Sequence, residues 1–363
     1  MNNKYLTGIS IVIIIGILVF GFFMQNQEEE PPNVADTEVE EYQDTKMMLD
    51  TINTIRTYGP DGEEAVDGAF ERVSEIDKLF NIYDEDSNVS RINREAGQGP
   101  VEIEDHTYTI LDRAIEYAEL SGGAFDPSIG ALIKLWGWGS ENGPSVPSQE
   151  EIEATLPLIN YENINLDSNA RTVQFNQSEM MIDLGAIAKG YAGELASNHL
   201  EEAGIEVAFV NLGGNIVLLG DKPDGSPWRI GVQNPRSDRG ELMGLVVADT
   251  DYYDNRLAIA TSGDYERYFE EDGEYYHHIL NPFTGLSVDN GIASTTIVAN
   301  DPVMADALST GIFVLGLEDG LELAESIDDF EIIFVTDDKE VHLSSGLIDN
   351  FEVLDDEFEI FEL

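Results

Sequence analysis

Apolar side chains recur every three or four positions over residues 62–81, where Val66, Phe70, Val73, Ile76, Leu79 and Phe80 fall on one face. That spacing predicts an amphipathic helix. The same period marks 106–121, 148–155, 186–204 and 302–326 as helical. Shorter apolar or alternating runs at 206–211, 215–219, 228–232, 243–249, 257–261, 275–280, 292–299 and 331–336 read as strands. The strands gather between 206 and 299, with helices mainly before and after, which favours an α+β fold over a regular alternating parallel sheet. A body of this length exceeds what one core usually serves, so two closely joined subdomains are expected.

The amino end follows a different pattern. Leu6 to Met24 is a nearly unbroken apolar run, preceded by Lys4 and followed by Glu28-Glu29-Glu30. As a helix it spans roughly 28 Å, close to the hydrocarbon thickness of a bilayer. No convincing small-x-small cleavage site follows it, so residues 1–26 are read as an uncleaved membrane anchor, with a cleaved signal segment as the alternative. Lys4 places the amino terminus inside and the body on the extracytoplasmic side of the cell membrane. Residues 27–45 hold eight acids, no base and Pro31-Pro32, the composition of a disordered tether. Residues 46–363 are then the folded domain.

Charge changes what that domain can be. The chain has 72 Asp and Glu against 18 Lys and Arg, a formal charge of −54, of which −47 lies beyond residue 45. Such a surface repels phosphate backbones, which argues against nucleic acid as a partner. At 42% hydrophobic residues the chain still builds a core, so the acid is a coat on a folded protein, suited to a saline medium. Zero cysteine removes disulfides, thiolate nucleophiles, Cys-based metal sites and lipid attachment through a thiol.

Walker A, the Rossmann glycine fingerprint and the nucleophile elbow are all missing. Five other segments carry candidate chemistry. In Ile182-Asp183-Leu184-Gly185-Ala186-Ile187-Ala188-Lys189-Gly190, an Asp and a Gly precede a long helix with Lys189 one turn inside. A helix start attracts phosphate, although an N-capping Asp and a snorkelling Lys explain the same residues. In Asp301-Pro302 through Thr310, an N-cap and a proline open a helix on which Asp306, Ser309 and Thr310 share a face. That oxygen set suits Mg²⁺, and a surface Asp beside a helix-bonded Thr is the plain alternative. His277 and His278 end a strand ahead of an Asn281-Pro282 turn, and strand alternation lets at most one of them face a site. Gly122 through Gly139 sets an Asp126-Pro127 turn beside Trp136 and Trp138, suited to stacking a planar ligand or to core packing. Thr261-Ser262-Gly263-Asp264-Tyr265 ends a strand in small polar residues.

Taken together and in order, these segments resemble the ApbE family. The likeness lies in Phe125-Asp126-Pro127-Ser128, Leu135-Trp136-Gly137, Ile182 to Gly190, Asn211-Leu212-Gly213-Gly214-Asn215, Thr261 to Tyr265, His278 to Gly285, and Ala305 to Thr310. It runs from about Met48 to Leu347. Family members are FAD:protein FMN transferases of the bacterial envelope. The resemblance therefore implies an α+β body with FAD in a cleft between subdomains and Mg²⁺ at its pyrophosphate. It implies FMN transfer from FAD to a Thr or Ser hydroxyl of an acceptor redox protein, such as a flavin-carrying subunit of a membrane electron-transfer complex, with AMP released.

Matched motif by motif, the resemblance implies that Met48 and Tyr83 lie near the flavin. It assigns Ala124, Phe125, Asp126, Asp183, Lys189 and Leu280 to FAD, and the Ala186 carbonyl, Asp306 and Thr310 to Mg²⁺. His278, not His277, takes the catalytic place. FAD hydrolysis to FMN and AMP is one alternative, and a non-enzymatic flavin-binding envelope protein is another. Three departures stand out: no lipid-bearing Cys, Ser309 where Ala is frequent, and Asn281 where Asp is usual.

Overall fold

A computed structural model describes residues 39–362 apart from 83, 249, 251–254, 328 and 329. The expected anchor (1–26) and most of the tether therefore lie outside the described residues. Among those that are described, no helix is long and apolar enough to cross a membrane. The tether ends earlier than expected, because its last five residues belong to a strand, Glu41–Met48. That strand pairs along its whole length with Thr51–Tyr58, giving backbone bonds that composition alone does not reveal.

Eight α-helices occur in the described chain. They are α1 (Gly62–Phe80), α2 (Asn88–Arg94), α3 (Asp105–Leu120), α4 (Gly130–Trp136), α5 (Gln149–Thr155), α6 (Ala188–Glu202), α7 (Pro302–Leu315) and α8 (Leu317–Glu325). The single helix expected over 302–326 is two. Gly316 at φ 84° separates α7 from α8, a left-handed backbone that a side chain would resist.

A nine-stranded sheet organises the rest, and its spatial order follows the chain: Glu41–Met48, Thr51–Tyr58, Val207–Leu212, Asn215–Leu219, Arg256–Gly263, Ile292–Ala299, Phe330–Thr336, Glu340–Leu343 and Glu359–Glu362. Neighbours are antiparallel until the final pair, which is parallel. Alternate residues feed two cores. Val217, Ala258, Ala260, Ile297 and Phe334 face the larger cluster with Phe70, Ala192, Ala196, Leu308 and Ile312 of the helices. Leu218, Leu257, Ile259, Val298 and Val335 face the other way, toward Trp228, Ile230 and Val246 of a three-stranded sheet. The fold is α+β, as its pattern predicts. The two subdomains do not separate: Val39–Leu363 form one compact unit, because a single sheet supplies a face to each core.

Two close approaches set the site. A Cβ on Gly190 of α6 would lie 2.3 Å from the Pro302 carbonyl oxygen and 2.7 Å from the Asp306 Cβ of α7. Only a missing side chain lets these helices come so near.

Candidate active site

The amino end of α7 is tied down from three sides. Asp301 Oδ1 accepts from the Val303 and Met304 N–H groups at 2.9 and 3.0 Å, satisfying helix-start donors. Arg113 of α3 donates to the same carboxylate and, at 2.7 Å, to Glu194 of α6. The helix so fixed presents Asp306, Ser309 and Thr310 at its sheet-facing side, where α7 packs on strands Arg256–Gly263 and Ile292–Ala299.

Asp306 is 3% exposed, so the plain reading of a surface Asp does not hold. Its Oδ2 accepts from the Gly190 N–H at 2.8 Å, and its Oδ1 faces Lys189 Nζ at 3.3 Å. Asp306 is thus the anion at the start of α6. Asp183 is not: its Oδ1 takes the Gly185 N–H at 2.7 Å in a turn that ends before the helix begins at Ala188. Lys189 accordingly lies in the first turn of α6, not one turn inside. Half-buried Ala186 sits in the intervening turn. Burial pushes the Asp183 carboxyl up, opposed by the Gly185 N–H and the Arg267 cation.

The hydroxyls form a directional chain. Ser309 Oγ donates to the Asp306 carbonyl at 2.8 Å, which uses its one proton. The 2.9 Å contact between Ser262 and Ser309 is therefore donated by Ser262. The 2.9 Å contact between Thr310 and Ser262 is then donated by Thr310. Both lone pairs of Thr310 Oγ1 remain available to an outside ligand. Ser309, in an Ala-like position, thus orients the neighbouring Thr310.

His277 and His278 divide as strand alternation predicts. His277 is 4% exposed, accepts from the Ile279 N–H on Nδ1 and donates from Nε2 to the Val288 carbonyl at 2.7 Å. Both nitrogens are used, so it is structural. His278 lies one residue past the strand Glu274–His277, its N–H donating to the Arg267 carbonyl at 3.0 Å. Its Nδ1 is enclosed without a hydrogen-bond partner. Burial, then the Arg267 and His277 charges and finally Lys189, push its pKa down to about 3. Trp138 stands edge-on to the ring at 6.3 Å between centroids.

Other expected site residues are placed less simply. Asp126 is 7% exposed, and its oxygens take the Ser128 N–H, the Ser128 hydroxyl and the Tyr161 N–H at 2.8, 2.6 and 3.0 Å. Burial pushes its carboxyl up and these donors pull it back; its side chain braces the turn. Ala124 and Phe125 are buried, Phe125 against Gly311 of α7. Leu280 is 3% exposed in a cluster with Leu132, Trp136 and Trp138, so packing accounts for both tryptophans. Met48 closes the first hairpin, and its carbonyl accepts from Asn53 Nδ2 at 2.8 Å. Tyr83 lies outside the described residues.

Lys189, Asp306, Ser309, Ser262 and Thr310 form one chain of contacts; His278 feels the charge of Lys189 and Arg267, and Asp183 that of Arg267. Sequence reasoning missed Ser262 as part of this chain, and missed Arg267 altogether. Ser262 was visible only as a small polar residue at a strand end. Among the described residues, no group of three or more His, Asp or Glu side chains suits a metal ion. A metal cation here would rely on one carboxylate, a hydroxyl and backbone oxygen. Mg²⁺ takes such hard donors while keeping water and phosphate oxygens, so the set fits it.

The ApbE family model matches residues 49–334, and the chain belongs to that family. A FAD:protein FMN transferase of Treponema pallidum is 34% identical over 337 residues, covering 88% of this chain and 91% of the relative. Another from Vibrio cholerae is 36% identical over 255 residues, covering 70% and 74%. The crystal structure of the ApbE protein from Thermotoga maritima superposes with a TM-score of 0.78 at 34% identity, covering 86% of this chain and 99% of that one. The flavin transferase ApbE from Vibrio cholerae gives 0.75 at 30% identity, covering 85% and 98%.

Proposed function

We propose that this protein transfers FMN from FAD to a Thr or Ser hydroxyl of an acceptor redox protein, releasing AMP. The observation that carries the reading is an uncharged His278 with an unpartnered Nδ1, influenced by Lys189, which in turn pairs with Asp306, in a chain of the ApbE family. The acceptor oxygen attacks the FMN phosphorus of FAD, and the bond from that phosphorus to the bridging oxygen breaks. His278 takes the hydroxyl proton, and AMP leaves with the bridging oxygen. A Mg²⁺ ion held by the Asp306 carboxylate, Thr310 Oγ1 and the Ala186 carbonyl would offset charge on the pyrophosphate. Lys189 adds positive charge from the first turn of α6, and the Gly190 N–H keeps the Asp306 carboxylate oriented.

Location belongs to the same reading. The Leu6–Met24 run anchors the chain in the cell membrane with the body outside, as Lys4 and the lack of any lipid-bearing Cys support.

The full chain incubated with FAD, Mg²⁺ and a threonine-bearing acceptor peptide tests the chemistry. FMN on the peptide with equimolar AMP supports transfer. Free FMN with AMP, and an unlabelled peptide, would make the protein a FAD pyrophosphatase. FAD bound but unaltered would make it a flavin-binding protein.

A further inference from the structure

Cations are scarce in this chain, and the described arginines are nearly all committed. Arg56, Arg72, Arg113, Arg171, Arg229, Arg236, Arg239 and Arg256 each pair with a carboxylate, while Arg91 and Arg94 donate to carbonyl oxygens. Among the described arginines, Arg267 alone makes no side-chain hydrogen bond or ion pair. Its neighbour Glu266 does not serve it, being turned to Arg239 at 3.4 Å.

Arg267 is nevertheless well placed. Its carbonyl accepts from the His278 N–H at 3.0 Å, and the next residue, Tyr268, pairs with His277 across a hairpin. Its guanidinium lies over the Trp138 ring, 6.0 Å from the centroid, and that ring stands edge-on to His278. The residue is exposed at the surface, and its positive charge acts to lower the pKa of both His278 and Asp183. An arginine resting on an aromatic face, with all five donors open, is a fork prepared for an anion. In so acidic a chain a carboxylate neighbour was readily available, and among the described residues none pairs with it.

We propose that Arg267 is a phosphate-binding residue of the active site, gripping the pyrophosphate of FAD with its free guanidinium edge. The assignment rests on the transferase reading. It gives the site a second cation with a role distinct from Lys189, whose ammonium faces Asp306. It also explains how an anionic dinucleotide is retained inside a repulsive surface. The planar fork and the stacking on Trp138 require arginine, so lysine supplies charge without geometry.

Equilibrium binding of FAD and of riboflavin, followed by flavin fluorescence on the full chain, tests the proposal. Arg267→Gln should weaken FAD binding by about ten- to a hundredfold, the effect of losing a charge-assisted contact. It should leave riboflavin, which lacks phosphate, within about twofold of wild type, since no such contact is then lost. Arg267→Lys should recover part of the loss. Arg239→Gln removes the same charge from a site 82% exposed and should change FAD binding little. The proposal is overturned if Arg267→Gln binds FAD as wild type does. Equal losses for FAD and riboflavin, or an equal loss in Arg239→Gln, overturn it as well, since they indicate packing or long-range field. A wild-type chain that binds no FAD overturns the transferase reading and this assignment with it.

Discussion

His278 owes its role to what surrounds it. An ordinary histidine is half protonated near pH 6.5 and loses base function below it. Burial and the adjacent Arg267 cation push His278 down to about 3, so it stays neutral and ready to accept a proton in acid as well as neutral medium. Single-turnover AMP release should therefore lack an inflection near 6.5 and stay within about twofold between pH 7 and 5, where a histidine of ordinary pKa would cost roughly twenty-fivefold. The sign for stability is opposite. The unfolded chain binds the proton more tightly over that window, so His278 makes folding less favourable as pH falls from about 6.5 toward 3. Replacing it, as His278→Ala, should lower the rate of AMP release about 10²- to 10⁴-fold with FAD binding retained. A smaller loss in a stopped-flow assay would remove it from the proton transfer. His278 was legible through its place in His-Ile-Leu-Asn-Pro, and strand alternation already allowed only one of the pair into a site. Arg267 was not legible, because its meaning lies in what it fails to touch, and no spacing along the chain encodes that.

At the scale of elements, the close contact of α6 with α7 holds Lys189 against Asp306, and Gly190 permits it. Alanine normally stabilises a helix interior by about 0.5–1 kcal/mol over glycine. At Gly190 the sign should reverse, because a Cβ there would meet the Pro302 carbonyl oxygen at 2.3 Å. Gly190→Ala should cost about 1–3 kcal/mol by urea unfolding and weaken FAD binding as Lys189 shifts from Asp306. A more stable variant with unchanged binding would show that the helices do not need this contact. Helices of this length were readable because Val66, Phe70 and Val73 repeat at helical spacing. The seven-residue α2 and α4 fall outside the helical runs read from the pattern. The first hairpin escaped for another reason. Its inward positions include Asn53 and Thr57, fully buried yet polar, so the apolar alternation that marks a strand is broken where it matters. Leu315 and Leu317 hid the break between α7 and α8 by continuing the apolar pattern through Gly316.

For the molecule as a whole, the acid coat and the site make opposite demands on salt. Self-repulsion at −54 opposes compaction, and it is screened over about 10 Å at 0.1 M ionic strength but only about 3 Å at 1 M. Melting temperature should therefore rise by several degrees between about 0.1 and 1 M NaCl, for a coat suited to a saline exterior. FAD is an anion approaching the same field. Its association rate should increase over that range as the long-range repulsion is screened. Its dissociation rate should increase too, because salt weakens the short contacts of Arg267 and Lys189 with phosphate. Stopped-flow binding separates the two. A faster on-rate in high salt locates the repulsion in the coat, and an off-rate whose salt dependence falls in Arg267→Gln locates part of the attraction in the site. A melting temperature flat in NaCl would show that repulsion within the coat does not limit stability, and that the acidity is no adaptation to salt.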